Sequence, residues 1–295
     1  MRVTFLSCVT VGVVTAMGAC GGSGTPTSFG GDDDSGTTGD GGVVTGDGGG
    51  SIDANFGNDG SLSDGPLQEA VVYGHGPNVL YRLDPNTKAV SVVGTFTNCN
   101  DSVIDIALDK DSNMYGTTFG GVFRIDRATA ACTLIKTGSY PNSLSFVPKG
   151  TVDPNVEALV AYQGSTYVRI DTTTGNISNI GGIGGGLTSS GDIVSVIGGG
   201  TYLTVKGNSC ADCIVEINPA TGALVKNWGT VGHADVFGLA FWADTAFGFD
   251  NAGELFSITF GGSSVTTAPI AIPNRPANLQ FYGAGSTTSA PPGPR

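Results

Sequence analysis

The fold is decided by the stretch Tyr81-Arg82-Leu83-Asp84-Pro85, because variants of it recur along the chain at similar intervals. The variants are Phe123-Arg124-Ile125-Asp126, Val168-Arg169-Ile170-Asp171, Val215-Glu216-Ile217-Asn218-Pro219 and, more weakly, Phe256-Ser257-Ile258-Thr259. Their fourth residues are separated by 42, 45, 47 and 41 residues. Each stretch alternates apolar and polar side chains, as a half-buried strand does. Repeats of this period built from strands indicate a β-propeller with one four-stranded blade per repeat.

The remaining strands of each repeat predict blades near residues 69–97, 103–138, 142–182, 190–230 and 236–270. The first repeat lacks an inner strand, whereas residues 277–283 resemble one and follow the last repeat. We expect them to complete the first blade, because a closed ring leaves no unpaired edge strand. The predicted fold is therefore all-β, with a single propeller of five four-stranded blades over residues 67–286 and a disordered tail at 287–295. An open β-sandwich and a sixth, degenerate blade are the alternatives.

The amino terminus predicts export and a lipid anchor. Arg2 precedes a largely apolar run over residues 3–16, which is typical of a signal peptide and short for a membrane-spanning helix. The following Met17-Gly18-Ala19-Cys20 resembles the lipobox of bacterial lipoproteins. The resemblance implies a signal peptide at 1–19 and lipidation of Cys20, with acyl chains such as palmitate. Ordinary secretion with a free Cys20 is the alternative.

The segment that follows Cys20 is predicted to be a disordered, flexible tether. Residues 20–66 contain eight of the 25 acidic residues, none of the 13 basic residues and 16 of the 49 glycines. Such a composition cannot bury an apolar core. The formal net charge of −12, without clustered basic side chains, excludes a nucleic acid bound through its phosphates as a partner.

The repeats resemble those of bacterial propellers of the YVTN, NHL and SMP-30-like type. The stretch Asp105-Ile106-Ala107-Leu108-Asp109 and the turn over residues 170–175 carry the resemblance. It implies the propeller architecture over about residues 69–286 and is nearly silent on activity, because such folds include binders and enzymes. SMP-30-like lactonases hold a central metal ion through acidic and Asn side chains, but their ligand set cannot be matched here residue by residue.

Few residues of the sequence suggest a catalytic or metal-binding role. Asp105, Asp192, His233 and Asp235 precede or begin inner strands, and we expect these polar side chains to line one mouth of the channel. The chain's two histidines, His75 and His233, fall in predicted turns, and each is expected to be isolated from other potential ligands. No nucleophile elbow occurs in the sequence, and two lone histidines offer little for a catalytic triad. We therefore predict no catalytic residue, no metal site and no cofactor.

Four of the six cysteines lie in the predicted propeller, and an even number in an exported chain favours disulfides. Cys99 follows the outer strand of the first blade and Cys132 begins the outer strand of the second, so a bridge between them is predicted. Cys210 and Cys213 form a C-x-x-C pair, which we interpret as a local disulfide. A redox-active pair and half of a zinc site are the alternatives.

These features predict a lipid-anchored protein of the cell envelope. We expect the lipid on Cys20 to attach the protein to a membrane, which is its predicted partner. Gly21 after the modified cysteine favours the outer membrane. The expected function is non-catalytic binding or scaffolding, with an unknown protein or saccharide ligand on one propeller face. A metal-dependent, SMP-30-like lactonase is the alternative.

Overall fold

The structure, a computed structural model, describes residues 71–207 and 210–292. Within these ranges the elements of regular secondary structure are all β-strands. The predicted signal peptide (1–19), Cys20 and the tether (20–66) lie outside the described residues. The described ranges include no helix long and apolar enough to cross a lipid bilayer.

In the described part of the chain, twenty strands form five antiparallel sheets of four strands, and each sheet is one blade. Blade 1 contains, from the inner to the outer strand, β20 (Gly283–Ser286), β1 (Val72–His75), β2 (Val79–Leu83) and β3 (Val90–Thr95). Blade 2 contains β4 (Val103–Leu108), β5 (Met114–Thr118), β6 (Gly121–Ile125) and β7 (Cys132–Thr137). Blade 3 contains β8 (Ser145–Val147), β9 (Ala158–Gln163), β10 (Thr166–Ile170) and β11 (Ile177–Gly182). Blade 4 contains β12 (Thr188–Ser195), β13 (Thr201–Gly207), β14 (Cys210–Ile217) and β15 (Leu224–Thr230). Blade 5 contains β16 (Val236–Trp242), β17 (Thr245–Asp250), β18 (Leu255–Gly261) and β19 (Ser264–Ile270).

The predicted five-bladed propeller is therefore confirmed, and over the described residues the chain is neither an open sandwich nor a ring of six blades. Apolar clusters join each blade to its neighbour. One cluster packs Tyr73 and Leu80 of blade 1 against Ile106 and Phe123 of blade 2. Because each blade buries its apolar faces against the next one, the ring is stabilised as a whole.

The recurring stretch ends in a turn of the same construction in four blades. The turns begin at Asp84, Asp126, Asp171 and Asn218. In each, the side-chain oxygen of the first residue accepts a hydrogen bond from the amide two residues on, which is typical of an Asx turn. The residue four positions on has a positive φ, as in Lys88 (61°), Ala130 (60°), Gly175 (69°) and Gly222 (70°).

The strand that closes the ring lies later in the chain than predicted. β20 (Gly283–Ser286) pairs with β1, whereas the sequence predicts the closing strand at 277–283. Leu279 and Phe281 alternate with polar residues like a strand, but both are buried by loop packing. Asn278, whose φ is 57°, interrupts the extended backbone before them. The small residues of β20 fit the crowded centre of the ring better than a bulky strand would.

The chain that follows β20 covers one end of the ring. Thr287 forms a parallel bridge with Leu108 at the end of β4, and the Thr288 carbonyl accepts a hydrogen bond from the Ile197 amide at 2.9 Å. Both threonine side chains are buried. Residues 287–292 thus differ from the expected disordered tail, because they connect blades 2 and 4 across the axis. We call this end of the ring the C-terminal face.

Strand direction assigns the other loops to one of the two ends. Val72 pairs with Ser286, so the described chain begins at the C-terminal face. The β5–β6 hairpin, with Phe119 at its tip, lies at the other end, because Thr118 pairs with Val103 at the start of β4. We call this end the opposite face.

Both predicted disulfides are present in the structure. Cys99–Cys132 joins the loop after β3 to the first residue of β7, and thus connects blades 1 and 2. Cys210–Cys213 lies within β14 of blade 4. The interpretation of the C-x-x-C pair as a local disulfide is therefore confirmed.

Candidate functional site

One position of each inner segment brings the five blades together. The strand register aligns Asp105 with Thr117, Gly238 with Phe249 and Gly283 with His75. The equivalent residue of blade 3 lies two positions before the Ser145–Val160 pair, and that of blade 4 directly precedes the Ile193–Leu203 pair. The five equivalent residues, which we call the axial ring, are Gly283, Asp105, Ser143, Asp192 and Gly238. Two glycines leave room at the centre, and two aspartate side chains enter it.

Asp105 and Asp192 join neighbouring inner strands. Each of their four carboxylate oxygens accepts a hydrogen bond from a backbone amide. The donors to Asp105 are Ile106 at 2.8 Å and Leu144 of blade 3 at 2.6 Å, and the donors to Asp192 are Ile193 at 2.6 Å and Leu239 of blade 5 at 2.7 Å. Each aspartate therefore links its own blade to the next one. The two carboxyl groups also lie close enough to affect each other's ionisation.

Burial raises the pKa of both carboxyl groups, because it disfavours their charged forms. Desolvation raises the pKa of Asp105 to about 8, against the opposing effect of its backbone hydrogen bonds. Desolvation, and next the charge of Asp105, raise the pKa of Asp192 well above its ordinary value. Two carboxyl groups in contact cannot both ionise at low cost, so the pair holds at least one proton at neutral pH.

His75 lies beside this pair. It ends β1 and is fully buried, rather than lying in the predicted turn. Burial lowers the pKa of His75 to about 4, although its Nδ1–H donates a hydrogen bond to the Gly76 carbonyl at 2.8 Å. Within the described part of the chain, its Nε2 has no hydrogen-bond partner. A Cβ on Gly283 would overlap both this nitrogen and the Asp105 carboxylate, so the two polar groups flank the same small gap.

The prediction that Asp105 and Asp192 line a channel mouth is therefore wrong. Both are buried, with 1% and 0% of their surface exposed. Five blades enclose a narrow axis, and side chains of this length fill it instead of facing solvent.

His233 belongs to a second polar cluster, at the opposite face of blade 5. Its Nδ1 lies 3.2 Å from Asp250 Oδ2 and 3.7 Å from Glu254 Oε2. The imidazole stacks on the Phe256 ring, with 3.7 Å between the ring centroids and 7° between their planes. The expectation of an isolated His233 is therefore wrong, because the β17–β18 hairpin folds both acids against it.

Asp235 lies outside both the axial ring and the His233 cluster. Its amide donates a hydrogen bond to Asp212 Oδ2 at 2.8 Å, and its carbonyl accepts one from the Asn251 amide at 3.1 Å. Asp235 therefore fixes the loop before β16 to its neighbours through its backbone. Its side chain is exposed at the opposite face, not in the axial gap.

Sequence reasoning missed Asp250 and Glu254 as partners of His233. One signal could have indicated them. The two acids lie four residues apart across a predicted hairpin of the blade that His233 precedes. Both the hairpin and the loop containing His233 then fall at the same end of the ring.

Comparison with known proteins adds little to this description. No known protein-family model matches the chain, and no curated protein matches it. Among solved structures, the chain is similar to a protein of unknown function from Bacteroides caccae, solved at 1.35 Å resolution. The two are 13% identical with a TM-score of 0.41, over 72% of this chain and 77% of the other.

Fold and site together define a class of molecule: a five-bladed β-propeller whose axis is occupied by a buried carboxyl pair.

Proposed function

We propose that the chain is a non-catalytic, lipid-anchored protein of the cell envelope, and that its propeller binds or scaffolds another molecule. We also propose that its repeats belong to the YVTN, NHL and SMP-30-like type. The lipobox-like Met17-Gly18-Ala19-Cys20 and the acidic, Gly-rich tether support the anchor, and Gly21 supports the outer membrane.

The observation that carries the proposal is the use of the axial carboxylates. Asp105 and Asp192 have all four oxygens hydrogen-bonded to backbone amides, and both side chains are buried. These hydrogen bonds hold blades 2 to 3 and 4 to 5 together. Groups engaged in this way are not free to bind and activate a substrate, so their role is structural.

Binding is proposed at the opposite face. Residues 287–292 lie across the C-terminal face, whereas the opposite face is formed by hairpins and loops. At that end the Phe119 side chain is 69% exposed. Its hairpin is fixed by Asn100, whose Nδ2 donates to the Gly120 carbonyl at 2.9 Å and whose Oδ1 accepts from Thr118 at 2.7 Å. A rigidly presented aromatic side chain is a typical contact residue of binding surfaces.

One observation favours the lactonase alternative. Two carboxyl groups do converge on the axis, with the unpartnered His75 Nε2 beside them. In a hydrolase of this kind, lactone turnover would depend on Asp105 and Asp192. Replacement of either residue in a variant that stays folded would then abolish turnover.

The anchor is tested by mass spectrometry of the Cys20 peptide from membranes of cells that produce the full chain. We expect a lipid-modified amino-terminal cysteine in the wild type and an unprocessed chain in Cys20→Ala. An unmodified Cys20 peptide would refute the proposed localisation.

The binding face is tested by photo-crosslinking in intact cells. A crosslinking amino acid is placed at Phe119 or, as a matched control, at Val225, which is 59% exposed on the outer strand of blade 4. We expect one defined adduct from position 119 and none from position 225. No adduct at 119, together with lactone turnover by the purified chain, would overturn the proposal in favour of the hydrolase.

A further inference from the structure

The cluster of His233, Asp250 and Glu254 has the composition of a cation site. It contains two carboxylates and one imidazole, and one donor atom from each residue lies within 4.8 Å of the other two. Both carboxylates lie within ion-pair distance of the His233 imidazole. Arg275 reaches the same hairpin, but its Nη2 donates to the Ala252 carbonyl at 2.5 Å.

Two of the three side chains are held in place before any ion binds. The Asp250 side chain is 5% exposed, and its Oδ1 accepts a hydrogen bond from the Glu254 amide at 2.9 Å, which leaves Oδ2 for the cluster. The stacked Phe256 ring fixes the plane of the His233 imidazole. Preorganised ligands of this kind lower the entropic cost of binding.

Two of the three donor separations are close to those of a first-row transition-metal site. Metal–nitrogen and metal–oxygen bonds of about 2.0–2.2 Å place neighbouring ligand atoms roughly 3.0–3.5 Å apart in octahedral or tetrahedral sites. The observed separations from His233 Nδ1 are 3.2 Å to Asp250 and 3.7 Å to Glu254. A small rotation of Glu254, whose side chain is 57% exposed, brings the longer separation into this range.

We propose that His233 Nδ1, Asp250 Oδ2 and Glu254 Oε2 bind one divalent transition-metal ion, Zn²⁺ or Mn²⁺, at the opposite face of blade 5. An imidazole with two carboxylates suits these ions better than Mg²⁺ or Ca²⁺, which prefer oxygen ligands throughout. Nδ1 binds the metal through its lone pair, so the bound imidazole carries its proton on Nε2. Water completes the coordination, because Glu254 opens the site to solvent.

The site would connect the loop before β16 to the β17–β18 hairpin. It lies apart from the axial ring and does not depend on the proposed function.

The test is calorimetric titration of the full chain, stripped of metal with EDTA and with both disulfides oxidised. Absence of free thiols is checked first, because reduced Cys210 and Cys213 would bind Zn²⁺ themselves. We expect one saturable site for Zn²⁺ and a weaker one for Mn²⁺. We expect His233→Ala and Glu254→Gln each to reduce the Zn²⁺ affinity at least tenfold.

Glu254→Gln keeps the test decisive if His233→Ala fails to fold, because the Glu254 side chain is mostly exposed and its structural hydrogen bond is made by the backbone. Asp111→Asn, an exposed acid at the C-terminal face, is the matched control and should bind Zn²⁺ like the wild type. Failure of the wild type to bind either ion, or equal binding by wild type and Glu254→Gln, would overturn the proposal.

Discussion

The two axial carboxyl groups bind protons more tightly in the folded chain than in an unfolded one. Unfolded aspartate has a pKa of about 3.9, whereas burial raises the pKa of Asp105 to about 8 and that of Asp192 also upward. The folded state therefore holds more protons between these values, and this contribution to stability is lost as the pH rises through the folded pKa. His75 has the opposite effect on stability. Because burial lowers its pKa to about 4, the unfolded chain binds more protons at this residue up to its unfolded pKa of about 6.5, and this contribution to stability rises with pH over that interval.

We therefore predict that the free energy of unfolding falls as the pH rises from about 6.5 to 8, by up to about 1.4 kcal/mol per pH unit for each carboxyl that stays protonated. Urea unfolding at a series of pH values measures this slope. Asp192→Asn should be less stable overall, because its amide group faces a backbone donor, and should show a shallower slope. Asp111→Asn should retain the wild-type slope, and a wild-type stability that increases over this interval would contradict the prediction.

The sequence identified the axial aspartates as candidates without indicating their burial. Asp105 and Asp192 stand at equivalent positions of two repeats, which is visible from the alignment of the blades. Whether such side chains face solvent or meet depends on the width of the ring, which no local pattern specifies. The partners of His233 were missed for a related reason, because they belong to a hairpin 17 and 21 residues further along.

At the scale of elements, the strands with strong alternation could be predicted and the closing strand could not. β20 consists of Gly-Ala-Gly-Ser, which carries neither alternation nor β-propensity. The neighbouring Leu279 and Phe281 gave a stronger strand signal, although they pack as part of a loop. Pairing with β1, a tertiary contact, decides which of the two segments is the strand.

The two disulfides should differ in their contribution to stability. Cys99–Cys132 closes a loop with a sequence separation of 33 and joins two blades, whereas Cys210–Cys213 has a separation of 3 within one strand. Because a disulfide stabilises by restricting the unfolded chain, more so for longer loops, we expect Cys99→Ala/Cys132→Ala to cost about 3–4 kcal/mol. Cys210→Ala/Cys213→Ala is the matched comparison and should cost less. Guanidinium unfolding of both double variants measures the difference, and an equal or reversed order would contradict this account.

At the scale of the whole molecule, residues 287–292 act as part of the ring. The Thr288 hydroxyl donates to Glu157 Oε1 at 2.5 Å, and the Ser289 hydroxyl donates to the Lys110 carbonyl at 3.1 Å. Thr287, Thr288 and Ala290 are buried. Through these contacts the segment holds loops of blades 2, 3 and 4 together at the C-terminal face.

Truncation tests this role. Removal of residues 287–295 should lower the free energy of unfolding by about 2–4 kcal/mol, through lost burial and lost hydrogen bonds. Removal of residues 293–295 is the control and should leave the melting temperature unchanged. A melting temperature unaffected by the longer truncation would show that the segment contributes nothing to the ring.

The order of strands in blade 1 also determines when the molecule can be completed during its synthesis. β1 is the first strand of the described chain and β20 the last, so the inner edge of β1 has no native partner until residue 286 has emerged from the ribosome. Blades 2 to 5 have all their own strands earlier, but the ring stays open at this one seam. An unpaired strand edge is a template for pairing with other chains. Until β20 pairs with β1, this four-residue edge is therefore open to pairing with other chains.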